Sequence, residues 1–353
     1  MPTESEVLQW EPTEWAVQTE AYDGNRFDIV SRVTFEHAGS DERRVTEMFT
    51  TRDGEWRFRF TGTRPGLWTY RSASDVVALD GLTGSVHVAP NHNGVGFVTS
   101  IGSTWARQVG ADGRLEAFVP QYVMYDTPDA YQDNAEKIDR DIQTFMVEHG
   151  FSGFHTYVFG RWFDIDRERT DEIPDDPNPD PRTFHALELL IRKVHAAGGV
   201  THIWVWGDES RKQTPIKWGI NGAVDRRLQR YIAARLGPLP GWTMGYGYDL
   251  WEWVEGEQLT EWHAFMQEHM GWSHMLGARA TKNTREQLSE DLSYASYEQH
   301  RPDYATYVRT IQARPGKPAF SEDRFRIRPN SRYPEKDYDE ERTRRGLWHS
   351  AMA

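Results

Sequence analysis

From residue 95 onward, helical patterns alternate with short apolar runs, and this alternation constrains the fold more than any other feature of the chain. The runs at 154–159, 200–206, 242–248, 275–280 and 318–321 have the length and composition of buried strands. Between and after them, 133–149, 184–197, 223–236, 259–270, 304–313 and 339–351 carry helical spacing. In 133–149 that spacing puts Ile138, Ile142, Phe145, Met146 and His149 on one face. In 184–197, Leu187, Leu190, Ile191 and Val194 share a face, and Gly198-Gly199 ends the helix. Strands and helices in regular alternation imply a parallel sheet with crossover helices. The 259 residues from 95 to 353 match a (β/α)8 barrel, which takes about 250. With 118–125 as the first strand, 318–321 is the seventh and the pattern finishes in a helix. An eighth strand is expected to come from elsewhere, or the barrel is incomplete. An open edge of this kind also admits closure by a second copy of the chain, as a homodimer.

The first part of the chain reads differently. Residues 27–35, 44–50, 55–60, 66–72 and 84–88 are strand candidates at short spacing. Trp56-Arg57-Phe58-Arg59-Phe60 alternates strictly, the pattern of a half-buried strand. Asp53-Gly54 and Pro65-Gly66 supply turns. These features predict an all-β sandwich over residues 1–90, and the turn-rich 90–96 separates it from an α/β domain over 91–353.

The charge of −13 argues against a nucleic-acid partner, which needs a basic footprint. No run of 18 apolar residues is present, so no membrane span is expected, and the N-terminus has neither the basic nor the apolar region of a signal peptide. A cytoplasmic protein is expected, or an exported one whose signal is not part of this chain. With no cysteine, thiolate metal sites and cysteine nucleophiles are excluded. The histidines lack metal-ligand spacing, and no nucleophile elbow or phosphate-binding loop follows a strand, so neither metal nor cofactor is expected. The 15 Trp, 15 Tyr and 16 Phe residues suit stacking on sugar rings, although many must pack the core. The Asp- and Pro-rich stretch 164–182 is a long connection on the side of the barrel where active sites lie, and lacks the spacing of a calcium loop.

In a parallel barrel, residues at the C-terminal ends of strands line the active site. Ala319-Phe320-Ser321-Glu322-Asp323-Arg324 runs from a strand into a carboxylate pair. Glu322 is a candidate there, or an ordinary loop acid paired with Arg324 or Arg326. In Gly247-Tyr248-Asp249-Leu250-Trp251-Glu252, a strand ends in acids among large rings, which raise a carboxyl pKa toward the range of a general acid. Asp249 is otherwise a helix cap and Glu252 a surface residue. His155, Tyr157, Arg161 and Trp162 end the second strand, and Trp206 and Asp208 the third. These are substrate-contact candidates or core packing. Two carboxylates on different strands are the minimum apparatus for glycoside hydrolysis.

The same residues carry a resemblance. Val7-Leu8-Gln9-Trp10-Glu11, Asn25-Arg26-Phe27-Asp28, Trp56 to Phe60, Pro65-Gly66-Leu67-Trp68-Thr69-Tyr70 and Leu82-Thr83-Gly84-Ser85 resemble the β-sandwich domain of unknown function that precedes many glycoside-hydrolase barrels. Tyr231-Ile232-Ala233-Ala234-Arg235-Leu236 before Trp242, Lys317 to Glu322, and Arg344-Arg345-Gly346-Leu347-Trp348 resemble the cellulase-like barrels of glycoside hydrolase clan A, near the apiosidase-like group. The resemblance implies a retaining mechanism. Its nucleophile is a Glu ending strand seven, which Glu322 matches. Its acid/base is a Glu preceded by Asn at the end of strand four, where this chain has Tyr248-Asp249, with Glu252 three residues on.

The expected protein is therefore a glycoside hydrolase acting on a plant or algal poly- or oligosaccharide. Glu322 attacks, and Asp249 or Glu252 serves as acid/base. Tyr248, Trp251 and Trp206 stack on sugar rings, and His155 and Arg324 hold substituents. The rivals are a carbohydrate-binding protein with a degenerate barrel, and a polysaccharide lyase using Tyr248 or His155 as base.

Overall fold

A computed structural model describes residues 5–20, 22–51, 55–168, 171–209, 212–279, 291–297, 304–321 and 339–352. The turn expected at Asp53-Gly54 lies outside them.

The N-terminal strands are β1 (Ser5–Leu8), β2 (Pro12–Gln18), β3 (Ser31–His37), β4 (Arg43–Glu47), β5 (Phe49–Thr50), β6 (Glu55–Thr61), β7 (Gly66–Ser74) and β8 (Thr83–Ala89). They form a five-stranded sheet in the order β1-β8-β7-β3-β4 and a three-stranded sheet β2-β6-β5. Val33 and Phe35 of β3, Trp68 of β7, and Val86 and Val88 of β8 share one apolar cluster with Trp56, Phe58 and Phe60 of β6. The predicted strand at 27–35 starts later, because Arg26–Asp28 forms a 3-10 turn capped by the Asn25 side chain. Met48 interrupts the expected strand 44–50.

The alternation in β6 holds, but its polar face is only partly solvated. Arg59 is only 4% exposed. It lies against α3 (Pro181–Ala196) and α4 (Ala223–Leu236), giving an N–H from Nη2 to Glu188 Oε2 at 2.8 Å and one from Nη1 to the Arg235 carbonyl at 2.6 Å. Arg235 Nε donates to Glu188 Oε1 at 2.6 Å. Burial pushes the Glu188 carboxyl up, but Arg235 and Arg59 outweigh it and hold the group at about 2. Further ties join the N-terminal strands to the later part of the chain. Tyr231 donates to the Thr50 carbonyl at 2.8 Å, and the Trp272 indole donates to the Thr61 carbonyl at 3.0 Å. Gly271, at φ 72°, ends α5 (Gly256–Met270) where an added Cβ would lie 2.1 Å from the Val45 carbonyl oxygen.

Residues 95–117 depart from the expected strand–helix alternation. They form an antiparallel meander of β9 (Val95–Ile101), β10 (Thr104–Val109) and β11 (Arg114–Ala117). The alternating stretches around Gly102-Ser103 are the hairpin signal for it, with Gly102 at φ 58° in the turn. Trp105 of β10 donates its indole N–H to the Ala319 carbonyl at 2.8 Å and packs on Tyr294 and Phe320. Arg107 donates to the Gly198 carbonyl, and His195 to the Val95 carbonyl. Each of these tie points on the later part of the chain lies within a few residues of the N-terminal end of a parallel strand or at its start. The meander therefore covers the end of the parallel sheet opposite the strand C-termini.

That sheet is five-stranded and parallel in the order β12 (Tyr122–Met124), β13 (Gly153–Tyr157), β14 (Val200–Trp206), β15 (Trp242–Gly247) and β16 (Leu276–Gly277). Between β12 and β13 the chain passes through a short helix, α1 (Pro128–Tyr131), then α2 (Ala135–Asp141) continued by a π-helical stretch Ile142–Glu148. His149, expected on the buried face, is exposed because the wider π turn rotates it away. β17 (Ala295–Tyr297) and β18 (Ala319–Ser321) form a parallel pair flanking α6 (Tyr304–Gln312), and α7 (Glu340–Met352) follows. Ser293 donates its backbone N–H to the Leu276 carbonyl, which links the pair to β16. No eighth strand occurs among the described residues.

The sheet curls so that rings from distant strands meet inside it. Tyr122 of β12 lies 5.3 Å from Phe320 of β18, and His202 touches Tyr122, His155, Tyr294 and Phe320. β15 and β16 face these rings with small residues. A Cβ on Gly277 would meet the Tyr294 ring at 2.3 Å. Gly277→Ala is accordingly expected to cost about 1–3 kcal/mol of stability, measured as a lower denaturation midpoint. An unchanged midpoint would mean that the ring can move aside. Among the described residues no helix is long and apolar enough to cross a membrane.

Candidate active site

The C-terminal ends of β13, β14, β15 and β16 bring one aromatic and polar cluster together. Its floor is buried. His155 lies 4.1 Å from Trp204, ring to ring, and both are at most 4% exposed. The Arg279 guanidinium, just past β16, sits 5.3 Å over the Trp204 ring, a cation–π contact. Above the floor, Tyr248 packs on Trp204 at 5.1 Å and meets Phe159 edge-on at 5.5 Å. Tyr157 stacks on Phe159 at 5.0 Å. The Tyr248 hydroxyl donates to Gln213 Oε1 at 3.1 Å, and the Asp208 backbone N–H approaches the same oxygen at 3.5 Å.

Residues at this rim hold left-handed backbone: Phe159 at φ 56°, Asp249 at φ 52° and, beside Gln213, Lys212 at φ 53°. Asp tolerates that region better than a bulky residue does, and such strain persists only where the surroundings impose it. Asp249 opens the 3-10 turn Leu250–Glu252 and accepts the Glu252 N–H at 3.1 Å on its carbonyl. Asp249, Trp251 and Glu252 are half-buried, while Leu250 and Trp253 of the same stretch are buried. Gly247 lets this turn begin close against β14, since a Cβ there would meet the Trp206 carbonyl oxygen at 2.3 Å.

The predicted residues divide accordingly. Tyr157, Tyr248, Trp251, Asp249 and Glu252 keep accessible surface at the strand ends. Asp208 is nearly buried, and its backbone joins the cluster. His155 is interior, boxed by His202 and Trp204, not a rim contact for substituents. Trp162 is fully buried, donates its indole N–H to the Val205 carbonyl and packs on Phe184, so it belongs to the helix–sheet core. Trp206 is likewise fully buried in that core, near Phe163, and offers no face to a sugar. Behind Trp206 lies Asp225 in the first turn of α4. Burial pushes its carboxyl up to about 6, against the Asn221 N–H that it accepts at 2.9 Å. Arg161 pairs with Asp129 at 2.6 Å across the loop, which engages its guanidinium. Glu322 and Arg324 lie outside the described residues, immediately after β18.

Sequence reasoning missed Trp204, Phe159, Gln213 and Arg279. Arg279 follows Leu-Gly-Ala at a strand end, the signal used for the other strands. Trp204 lies in a strand apolar on both faces, where periodicity cannot tell inside from outside. Gln213 has no local signal.

Residues 6–75 match the family described as a domain of unknown function, DUF5060. No curated protein matches the chain in sequence. A solved structure described as a "putative glycoside hydrolase" from Bacteroides vulgatus is 18% identical with a TM-score of 0.73, over 93% of this chain and 67% of that one. A glycoside hydrolase family 5 structure from the same organism is 15% identical with a TM-score of 0.44, over 72% of this chain and 60% of that one. The chain thus spans about two thirds of the length of the first structure and less of the second. Its fold is mixed α/β and glycoside hydrolase-like.

Proposed function

We propose that the chain is a glycoside hydrolase acting on a plant or algal poly- or oligosaccharide, with a β-sandwich over residues 1–90 and a (β/α)8-type catalytic barrel over 91–353. The observation that carries this reading is Asp249. It is an acid held in strained backbone at the C-terminal end of a parallel strand, beside accessible rings. Glu322 follows β18 directly in sequence and supplies the second carboxylate. In this mechanism the Glu322 carboxylate attacks the anomeric carbon as the glycosidic C–O bond breaks. Asp249 gives its proton to the leaving oxygen. The same group then takes a proton from water, which attacks the glycosyl ester and frees Glu322. Such a retaining pair stands about 5–5.5 Å apart.

Tyr157, Tyr248 and Trp251 are the rings that remain accessible for stacking on sugars. Trp251→Ala is expected to raise KM for an oligosaccharide by about tenfold, with kcat within about threefold. A change confined to kcat would remove Trp251 from substrate binding.

The reading is tested by product analysis on plant and algal polysaccharides and aryl glycosides. New reducing ends support it. Sugar binding without turnover would favour the carbohydrate-binding alternative, for which Tyr248-Asp249 in place of Asn-Glu speaks. The lyase alternative has less support, since His155 is buried under Trp204 and the Tyr248 hydroxyl is engaged by Gln213.

A further inference from the structure

We infer that Gln213 is a positioning residue for the Asp249 carboxyl, acting through Tyr248; this rests on the acid/base role proposed for Asp249. Gln213 is 4% exposed, in the loop after β14. Its own backbone is pinned to the strand end: Gly207 donates to the Gln213 carbonyl at 2.9 Å, and Gln213 donates to the Asp208 carbonyl at 3.2 Å. The side-chain oxygen faces Gly207, where an added Cβ would come within 2.6 Å of it and 3.0 Å of the Phe159 ring. A buried amide oxygen fixed this way takes the Tyr248 hydroxyl at 3.1 Å. Tyr248 is thereby held from three sides, by Gln213, Trp204 and Phe159.

The next residue is Asp249, at φ 52°. Left-handed backbone in a residue other than glycine relaxes unless its neighbours over-determine it. On the N-terminal side those neighbours act through Tyr248, and on the C-terminal side through the buried Leu250. Releasing the Tyr248 hydroxyl lets the 248–249 peptide turn and swings the carboxyl away from the leaving oxygen. The proposed nucleophile, Glu322, is not substituted in these variants.

The test uses the full chain and aryl glycosides of graded leaving-group pKa. A displaced acid slows poor leaving groups, which need the proton, and spares good ones, which depart without it. Gln213→Leu removes the acceptor at similar volume, Gln213→Glu keeps one, and Tyr248→Phe removes the donor. Gln213→Leu and Tyr248→Phe are expected to slow the poorest leaving group at least about thirtyfold and the best at most about threefold. Gln213→Glu is expected to retain most of the rate on poor leaving groups. The double variant Gln213→Leu/Tyr248→Phe should be no slower than Gln213→Leu alone, since both substitutions break the Tyr248–Gln213 hydrogen bond and only Gln213→Leu also removes the oxygen that the Asp208 N–H approaches.

Equal slowing across the series, or additive losses in the double variant, would overturn the inference while leaving the glycosidase reading intact. If the wild type hydrolyses no glycoside, that reading fails instead. The positioning of Asp249 is then read from its side-chain carboxyl signal in 13C-aspartate-labelled protein, assigned by its loss in Asp249→Asn. A shift shared by Gln213→Leu and Tyr248→Phe and absent in Gln213→Glu supports the inference. An unmoved signal overturns it.

Discussion

Glu322→Gln is expected to slow glycoside hydrolysis by about 10³-fold or more, because the amide cannot form the glycosyl ester. That factor corresponds to roughly 4 kcal/mol of lost transition-state stabilisation. The substitution keeps the size of the side chain, so stability and sugar binding should change little. Asp323→Asn, one residue on, serves as the control and should retain activity within about threefold. Asp249→Asn should lose most on poor leaving groups, where proton donation matters. If Glu252→Gln shows that pattern and Asp249→Asn does not, the acid/base is Glu252. Full activity of Glu322→Gln on a good substrate would remove Glu322 from the chemistry altogether.

The second large effect is on stability. Glu188→Ala is expected to destabilise the protein by about 3–5 kcal/mol, as breaking a buried ion pair does. It leaves the guanidinium groups of Arg59 and Arg235, each at most 5% exposed, facing one another without the carboxylate between them. By contrast, Arg57→Ala breaks pairs with Glu14 and Glu55 that are much more exposed, and should cost no more than about 1 kcal/mol. Chemical denaturation of the two variants separates these cases. The pH dependence carries the same signature. The Glu188 carboxyl is held at about 2 in the folded protein, against 4.5 ordinarily. Its contribution is therefore fully present above pH 4.5 and is lost as the pH falls toward 2. That part of the acid limb should be missing in Glu188→Ala. Equal losses for Glu188→Ala and Arg57→Ala would mean that water reaches the buried cluster.

Most of the strand and helix order is legible in the sequence. The helices at 181–196, 223–236 and 256–270 and the strands at 200–206 and 242–247 follow from apolar spacing, because each buries one continuous face or both. The meander at 95–117 breaks the expected strand–helix alternation, although its hairpin signal at Gly102-Ser103 is local. Of the candidate site, strand-end placement anticipates that Asp249, Glu252, Tyr157, Tyr248 and Asp208 lie near one another at the C-terminal ends of the parallel strands. It fails for Trp162 and Trp206 because a large ring packs a helix–sheet layer as readily as it faces a groove, and spacing does not separate the two.

What the sequence determined by itself is what local chemistry controls: where strands and helices lie, which turns end them, and which acids stand at strand ends. The tertiary structure alone decided which ring of His202-Ile203-Trp204-Val205-Trp206 forms the floor of the site, since this strand is buried on both faces. It also decided that Arg59 turns from an apparent surface residue into part of a buried ion cluster with Glu188 and Arg235, 129 and 176 residues away in the chain. The left-handed backbone of Asp249 belongs to the same class. Tyr248, beside it, packs against Trp204 of β14, Phe159 after β13 and Gln213 of the loop after β14, and contacts between distant segments leave no pattern in either segment alone.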